Sequence, residues 1–347
     1  MSSPTIKVKF LSKDPSAKQW LRLFPGGNPV LGRCQFIFDP HCRDYDWVVV
    51  YDELPKTTGT GRQEALACPR ENTLLVTVEP SSIKTYGDAF LKQFGYILTG
   101  QEDWALQHPG KIWSQPALVW FYGSHAIQGK NFDTIVAHPP VDKTEILSTV
   151  CSTKQQGHTL HRQRYRFTQE LKKRLPFLAH YGRGVRDMAD KSEALDRYKY
   201  HIAIENHRAP HWWTEKISDA FLGLTLPFYY GAPNLSDYFP KESFIPIDIF
   251  DVEGSTRIIE TAIKNDEYSK RLSAIHQARE LVLHKYSLFA TLVDIIESRH
   301  IDGRRKSGHA AIQGRHEFRR TLKGKLTTLS EKIRWKINCA RHANDAF

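Results

Sequence analysis

Short apolar runs separated by amphipathic stretches recur along most of the chain. WVVVYDEL (47–54) and NTLLVTVE (72–79) are rich in β-branched residues and too short for independent helices, which suits strands buried in a parallel sheet. After Glu79 come Pro80, Ser81 and Ser82, then IKTYGDAFLKQF with apolar positions at helical spacing, then the strand YILT (96–99), which completes a β-α-β unit. Residues 101–116 are polar and aperiodic and predict a loop. HPPVDKTE (138–145) carries turn residues and marks a domain boundary.

The pattern then repeats: strand ILSTVC, a basic helix around RQRYRFTQELKKR, strand FLAHY, turn GRG, a short helix at KSEALDRY and strand YHIAIEN. In the following helix Ile217, Ala220, Phe221 and Leu224 fall at i, i+3, i+4 and i+7, with Thr214 as its cap. Gly223 and Pro227 lead into the strand LPFYY, and beyond Arg257 the spacing is mainly helical. Two α/β domains in series are expected, 1–143 and 144–300, followed by a tail over 301–347. In that tail Leu322, Leu326, Leu329, Ile333 and Ile337 form one apolar stripe, flanked by Lys323, Lys325, Lys332, Arg334 and Lys336.

Length agrees with this division, because 347 residues exceed what one hydrophobic core usually serves. The first twenty residues lack the apolar run of a signal peptide and no window suits a spanning helix, so a soluble, cytoplasmic protein is expected. Five cysteines, odd in number and without a CxxC pair, read as reduced structural thiols. The formal charge of +11 implies an acidic partner. Most of it sits in the tail, where twelve Lys and Arg face four Asp and Glu.

In open α/β sheets ligands bind beyond the carboxyl ends of the strands, where helix amino termini also hold anions. Glu79, Asn206 and the Thr214-Glu215-Lys216 triplet fall at such places, and Trp212 and Trp213 stand in the adjoining loop, where a flat group or sugar could lie on them. Asp44-Tyr45-Asp46 has the spacing of a metal-binding carboxylate pair but precedes its strand, at the wrong edge for a ligand. His207 and His211 lack the helical frame that lets such a pair share zinc, because Pro210 lies between them.

The segment IENHRAPHWWTEKISDAFLGLTLPFYYGAPNLSDYFPKESFIPIDIF (204–250) resembles the donor-binding motif of the α-1,3/1,4-fucosyltransferases, glycosyltransferase family 10, bacterial type. Glu205-Asn206, Thr214-Glu215-Lys216, Pro227, Gly231, Pro233 and Ser243-Phe244-Ile245 carry the likeness. STVCSTKQQGHTLHRQRYRFTQEL is similar to the family segment with a phosphate-binding arginine, whose position Arg164 holds, and LLVTVEPSSIKTY to the region of its proposed catalytic glutamate, matched by Glu79.

The resemblance implies the GT-B architecture, two facing Rossmann-like domains, and inverting transfer of L-fucose from GDP-fucose to a glycan hydroxyl. Glu79 would be the base, Arg164 and Lys216 would meet the diphosphate, and Glu215 and Asn206 would contact the donor, with Thr214 at the helix start. Trp212 stands where the family commonly has tyrosine, so a phenolic contact to the donor is lost or replaced. No cofactor and no essential divalent metal are expected. An α-1,3 or α-1,4 linkage on lipopolysaccharide or a related glycolipid is expected, with the acceptor read by loops 56–70 and 101–116 and the tail on an anionic inner-leaflet surface, its main rival being a helix packed on the protein with its basic face solvated and a third reading a nucleic-acid contact. Two other readings are a GT-B transferase of another nucleotide sugar, which Trp212 keeps open, and a non-catalytic protein binding anionic lipid or nucleic acid. The second gains little from the pattern, because the charge lies in a tail rather than interleaved with aromatics across a face.

Overall fold

The computed structural model describes residues 4–14, 16–55, 63–116, 119–125, 129–155, 159–303 and 310–342. Arg304, Arg305 and Lys306 of the basic tail, and residues 56–62 of the loop assigned to the acceptor, lie outside the described residues. The chain divides into two units, one made of 1–117 with 288–346 and the other of 118–287. The boundaries expected at 143 and 300 fall instead after 117 and 287, the second because an aromatic cluster draws the helix Leu288–Glu297 into the first unit. There Phe289 packs 4.2 Å from Phe24, 4.8 Å from Phe36 and 5.3 Å from Phe10, ring centre to ring centre.

Among the described residues the strands of the first unit are β1 Ile6–Ser12, β2 Val30–Leu31, β3 Cys34–Ile37, β4 Trp47–Tyr51, β5 Gln63–Ala65, β6 Thr73–Val76, β7 Tyr96–Thr99 and β8 Lys111–Trp113. The second unit supplies β9 Glu145–Val150, β10 Ala179–Tyr181, β11 Tyr198–Ile204, β12 Leu226–Tyr230 and β13 Ile245–Pro246, and β14 Ala311–Gln313 returns to the first.

The first sheet runs β2-β3-β1-β4-β6-β7-β8, parallel throughout except for the β2-β3 pair. Its core on one face is built from Val48, Val50, Leu75, Phe94 and Ile97. Three local expectations change here. The helix expected over 83–94 shrinks to Asp88–Leu91, because Gly87 takes φ 81°, a left-handed conformation that stops helical dihedrals from extending back through it. The loop 101–116 contains the edge strand β8, too short to show a period. And β1, a strand the apolar runs do not single out, lies inside the sheet with a fully buried lysine, Lys9. That ammonium meets Glu64 of β5 at 2.9 Å and donates to the Cys42 carbonyl at 3.0 Å, while Tyr45 also donates to Glu64.

The second sheet runs β10-β9-β11-β12-β13, all parallel. From β9 the chain crosses through the helix His161–Arg174 to β10 on one side, and from β11 through the helix Glu215–Leu222 to β12 on the other. The carboxyl ends of β9 and β11 are therefore a topological switch point, where the diverging connections leave a crevice. Each unit is thus built on a mainly parallel sheet, as the GT-B expectation has it, but the second is inserted into the first rather than following it.

The helix Leu322–Arg341 lies against the first unit by one face. Trp335 Nε1 donates to the Ser81 carbonyl at 2.6 Å and Asn338 to that of Trp104 at 3.4 Å. On the opposite face the stripe Leu322, Leu326, Leu329, Ile333 and Ile337 is 48% to 76% exposed. Among the described residues no helix is long and apolar enough to cross a membrane.

Removing Lys9 leaves the buried Glu64 with only the half-exposed Arg43, 3.4 Å away, and the Tyr45 hydroxyl to compensate its charge. Lys9→Met is expected to destabilise the first unit by about 3–5 kcal/mol in urea unfolding, and Lys9→Met/Glu64→Gln to recover much of that loss. Equal losses in the single and double variants would show that Lys9 acts through packing alone.

Candidate functional site

The site begins one residue beyond β11. Glu205 is wholly buried, and its carboxylate accepts from the Thr214 backbone N–H at 2.9 Å and from the Thr214 hydroxyl at 2.7 Å. This contact folds the loop 206–213 back on itself and sets Thr214 as the cap of the helix Glu215–Leu222, where its oxygen accepts from the Lys216 N–H. Gly231 completes the packing, since a Cβ there would stand 2.5 Å from Glu205 Cγ and 2.2 Å from the Tyr229 hydroxyl.

Charges of alternating sign follow. Lys216 Nζ lies 3.4 Å from Glu205 Oε2 and 3.0 Å from Glu215 Oε1. Lys191 Nζ lies 3.7 Å from Glu215 Oε1 and 2.7 Å from Asp219 Oδ2. Asp219 in turn accepts from the N–H groups of Phe121 and Tyr122 at 2.8 and 2.9 Å. Burial raises the Glu205 carboxyl above its usual range, with Lys216 opposing. Burial would raise Glu215 too, but Lys216 and Lys191 outweigh it and hold that carboxyl down. Glu215 is thus an ionised acceptor at the helix start.

Arg164 reaches the same strand end from the helix His161–Arg174. Its Nη1 donates to the Ile204 carbonyl at 3.3 Å, while its Nε is buried without a hydrogen-bond partner among the described residues. Asn206 is fixed through its carbonyl, which accepts from Leu160 N–H at 3.2 Å, and its side-chain oxygen is also buried and unpartnered among the described residues. Buried polar atoms are nearly always satisfied, so unspent ones beside a helix amino terminus mark a place for a ligand. Two cations and a helix start suit a diphosphate. Among the described residues no group of three or more His, Cys, Asp and Glu is arranged to hold a metal. Asp44 pairs with Lys7 through its side chain, and Asp46 accepts from the Lys7 N–H at 2.8 Å.

Arg164, Asn206, Trp212, Thr214, Glu215 and Lys216 therefore meet at one strand end, but not all in the expected manner. Trp212 is 1% exposed and packs edge-on to His207, and Trp213 is buried against Tyr238, Phe239 and Tyr286. The expectation that a sugar or flat group lies on Trp212 is corrected, while Trp213 takes a packing role, because the loop that Glu205 draws back turns both rings inward. Trp212 keeps only its indole N–H, which has no hydrogen-bond partner among the described residues. Glu79 belongs to the first unit, three residues past β6, where its carbonyl accepts from Gln101 Nε2 at 2.8 Å. Sequence reasoning quotes Glu205 without giving it a role and passes over Lys191 and Asp219. Only the i, i+4 spacing of Glu215 and Asp219 hints that those two share a helix face.

Residues 141–272 match the model of the glycosyltransferase family 10 (fucosyltransferase) C-terminal domain. The chain is 34% identical over 64 residues to the α-(1,3)-fucosyltransferase FucT of Helicobacter pylori, a match covering 18% of this chain and 13% of that one. It is 32% identical over 123 residues to a 4-galactosyl-N-acetylglucosaminide 3-α-L-fucosyltransferase of Hylobates lar, covering 33% of this chain and 31% of that one. The matched segments thus span less than a third of the length of these relatives. Among solved structures, an α1,3-fucosyltransferase with GDP-fucose is similar over 89% of this chain and 94% of that one, at 14% identity and a TM-score of 0.48.

Lys216→Met removes the cation facing Glu205, so the folded pKa of that carboxyl, already raised by burial, rises further. A carboxyl whose folded pKa exceeds its unfolded value costs little below the unfolded pKa and destabilises increasingly as pH climbs through the folded one. Because Lys216 also holds Glu215 down, the variant is expected to melt below the parent already near about pH 4.5, and the Glu205 contribution to widen that deficit by several degrees by about pH 7.5. A deficit of the same size at both pH values would remove Lys216 from this pairing.

Proposed function

We propose that this chain, whose residues 141–272 are a glycosyltransferase family 10 domain, is an inverting fucosyltransferase that moves L-fucose from GDP-fucose to a hydroxyl of a glycan. The observation that carries this reading is the pair of buried polar atoms, Arg164 Nε and Asn206 Oδ1, unspent among the described residues at the switch-point edge of the family domain. In this reading Arg164, Lys216 and the helix start at Thr214 take up the negative charge that builds on the departing diphosphate. Glu215, held ionised by its two lysines, accepts from hydroxyls of the donor. Glu79 takes the proton of the attacking acceptor hydroxyl as its oxygen joins the anomeric carbon and GDP leaves from the opposite face. Directed donors, Arg164, Lys216 and the helix start, take the place of a divalent metal in this reading, so transfer should persist in a chelator.

The acceptor is proposed to be a lipopolysaccharide or related glycolipid, linked α-1,3 or α-1,4, at the inner face of a membrane. Support comes from the helix Leu322–Arg341, whose apolar stripe points away from the body of its unit with basic residues on both flanks. An anionic bilayer would take that stripe among its acyl chains and the lysines among its headgroups.

Calorimetry with GDP-fucose, GDP-mannose and UDP-galactose tests the donor. GDP-fucose should bind selectively, Lys216→Ala and Arg164→Ala should weaken it by about tenfold or more, and Glu79→Gln should bind it normally yet transfer about a hundredfold more slowly. Tighter binding of another nucleotide sugar would keep the fold and discard the fucose. For the surface, the chain should sediment with phosphatidylglycerol vesicles, and Leu326→Glu/Ile333→Glu should abolish this. Unchanged sedimentation of that variant would leave the stripe without a role in lipid binding.

A further inference from the structure

The packed side of the tail helix holds a second feature, which the transferase reading does not use. A cavity of about 350 Å³ lies inside the first unit, between residues 85–90 and the start of the helix Leu322–Arg341. One wall is apolar, with Tyr86, Phe90 and Phe318. The other is cationic, with Arg315, Arg319 and Lys323.

Three independent observations make this more than a basic groove. Arg315 is fixed by donating from Nη2 to the Thr85 carbonyl at 2.8 Å, yet its Nε is buried with no partner among the described residues. The acids in the wall are already engaged, Glu317 by Arg320 at 3.0 Å and Glu331 by the Asp88 N–H at 3.1 Å. And the twenty-residue helix starts at the cavity, where Thr321, Lys323 and Gly324 form part of the lining. Its dipole favours an anion there.

We infer that this cavity binds a phosphate ester carried on an apolar chain. The phosphate sits among Arg315, Arg319, Lys323 and the helix start, and the first part of the chain runs over Tyr86, Phe90 and Phe318. This differs from the bilayer contact in place and chemistry: the apolar stripe faces away from the cavity and needs no particular headgroup. A phospholipid or a prenyl phosphate would both satisfy the site.

The test is calorimetry on the full chain with ligands kept below their micelle concentrations. Dihexanoylphosphatidic acid or farnesyl phosphate should bind, and the tighter of the two identifies the source. Inorganic phosphate and dihexanoylphosphatidylcholine should each bind about tenfold more weakly or worse. Arg319→Glu/Lys323→Glu, which alters two groups on the cavity rim, and Thr328→Trp, which fills the cavity, should each reduce binding by about tenfold. Leu326→Glu/Ile333→Glu should leave it intact. The inference is overturned if neither amphiphile binds, if inorganic phosphate or the phosphatidylcholine binds as tightly, or if both cavity variants, folded by circular dichroism, bind like the parent.

Discussion

A single buried carboxylate organises the second unit. Glu205 has no water around it, and holding an ionised group in that state is costly unless donors surround it. The Thr214 N–H, the Thr214 hydroxyl and Lys216 supply them, and all three come from the start of the following helix. The strand end, the loop and the helix start are thereby one object. Thr214 is consequently part of the scaffold, with its hydroxyl already engaged, and Gly231 is the residue that lets a neighbouring strand end approach Glu205 so closely.

The same arrangement says how an anion would be held. Glu205, Glu215 and Asp219 stand against Lys216, Lys191 and Arg164, so the cluster has little surplus positive charge. Affinity for a diphosphate has to come from direction: a helix start aimed at it and N–H groups already ordered, rather than from bulk attraction. In the proposed membrane reading the basic tail would serve the opposite regime, in which exposed lysines act on an anionic surface through screened, non-directional fields.

Legibility in the sequence follows from how local each cause is. The runs that became β4, β6, β7 and β12 could be read because strands buried on both faces are continuously apolar. β1 breaks that pattern with Lys7 and Lys9, and what neutralises Lys9 is Glu64, on a strand far along the chain. The triplet Thr214-Glu215-Lys216 is legible because its residues are contiguous, and Arg164 and Asn206 because a family pattern marks their places. Lys191 and Asp219 meet only after two elements pack, and no spacing announces it. Trp212 and Trp213 could face a ligand or the core on sequence grounds alone. The turn that Glu205 imposes decides for the core.

The first unit has a consequence for the order of synthesis. Its aromatic cluster around Phe10, Phe24 and Phe36 is filled by Phe289, from the far side of residues 118–287. A ribosome therefore releases the amino-terminal segment long before its closing ring exists, while the inserted unit emerges whole and can fold ahead of it. The unit that begins first is the one that finishes last, and through that interval the faces of Phe10, Phe24 and Phe36 that Phe289 will cover stay open.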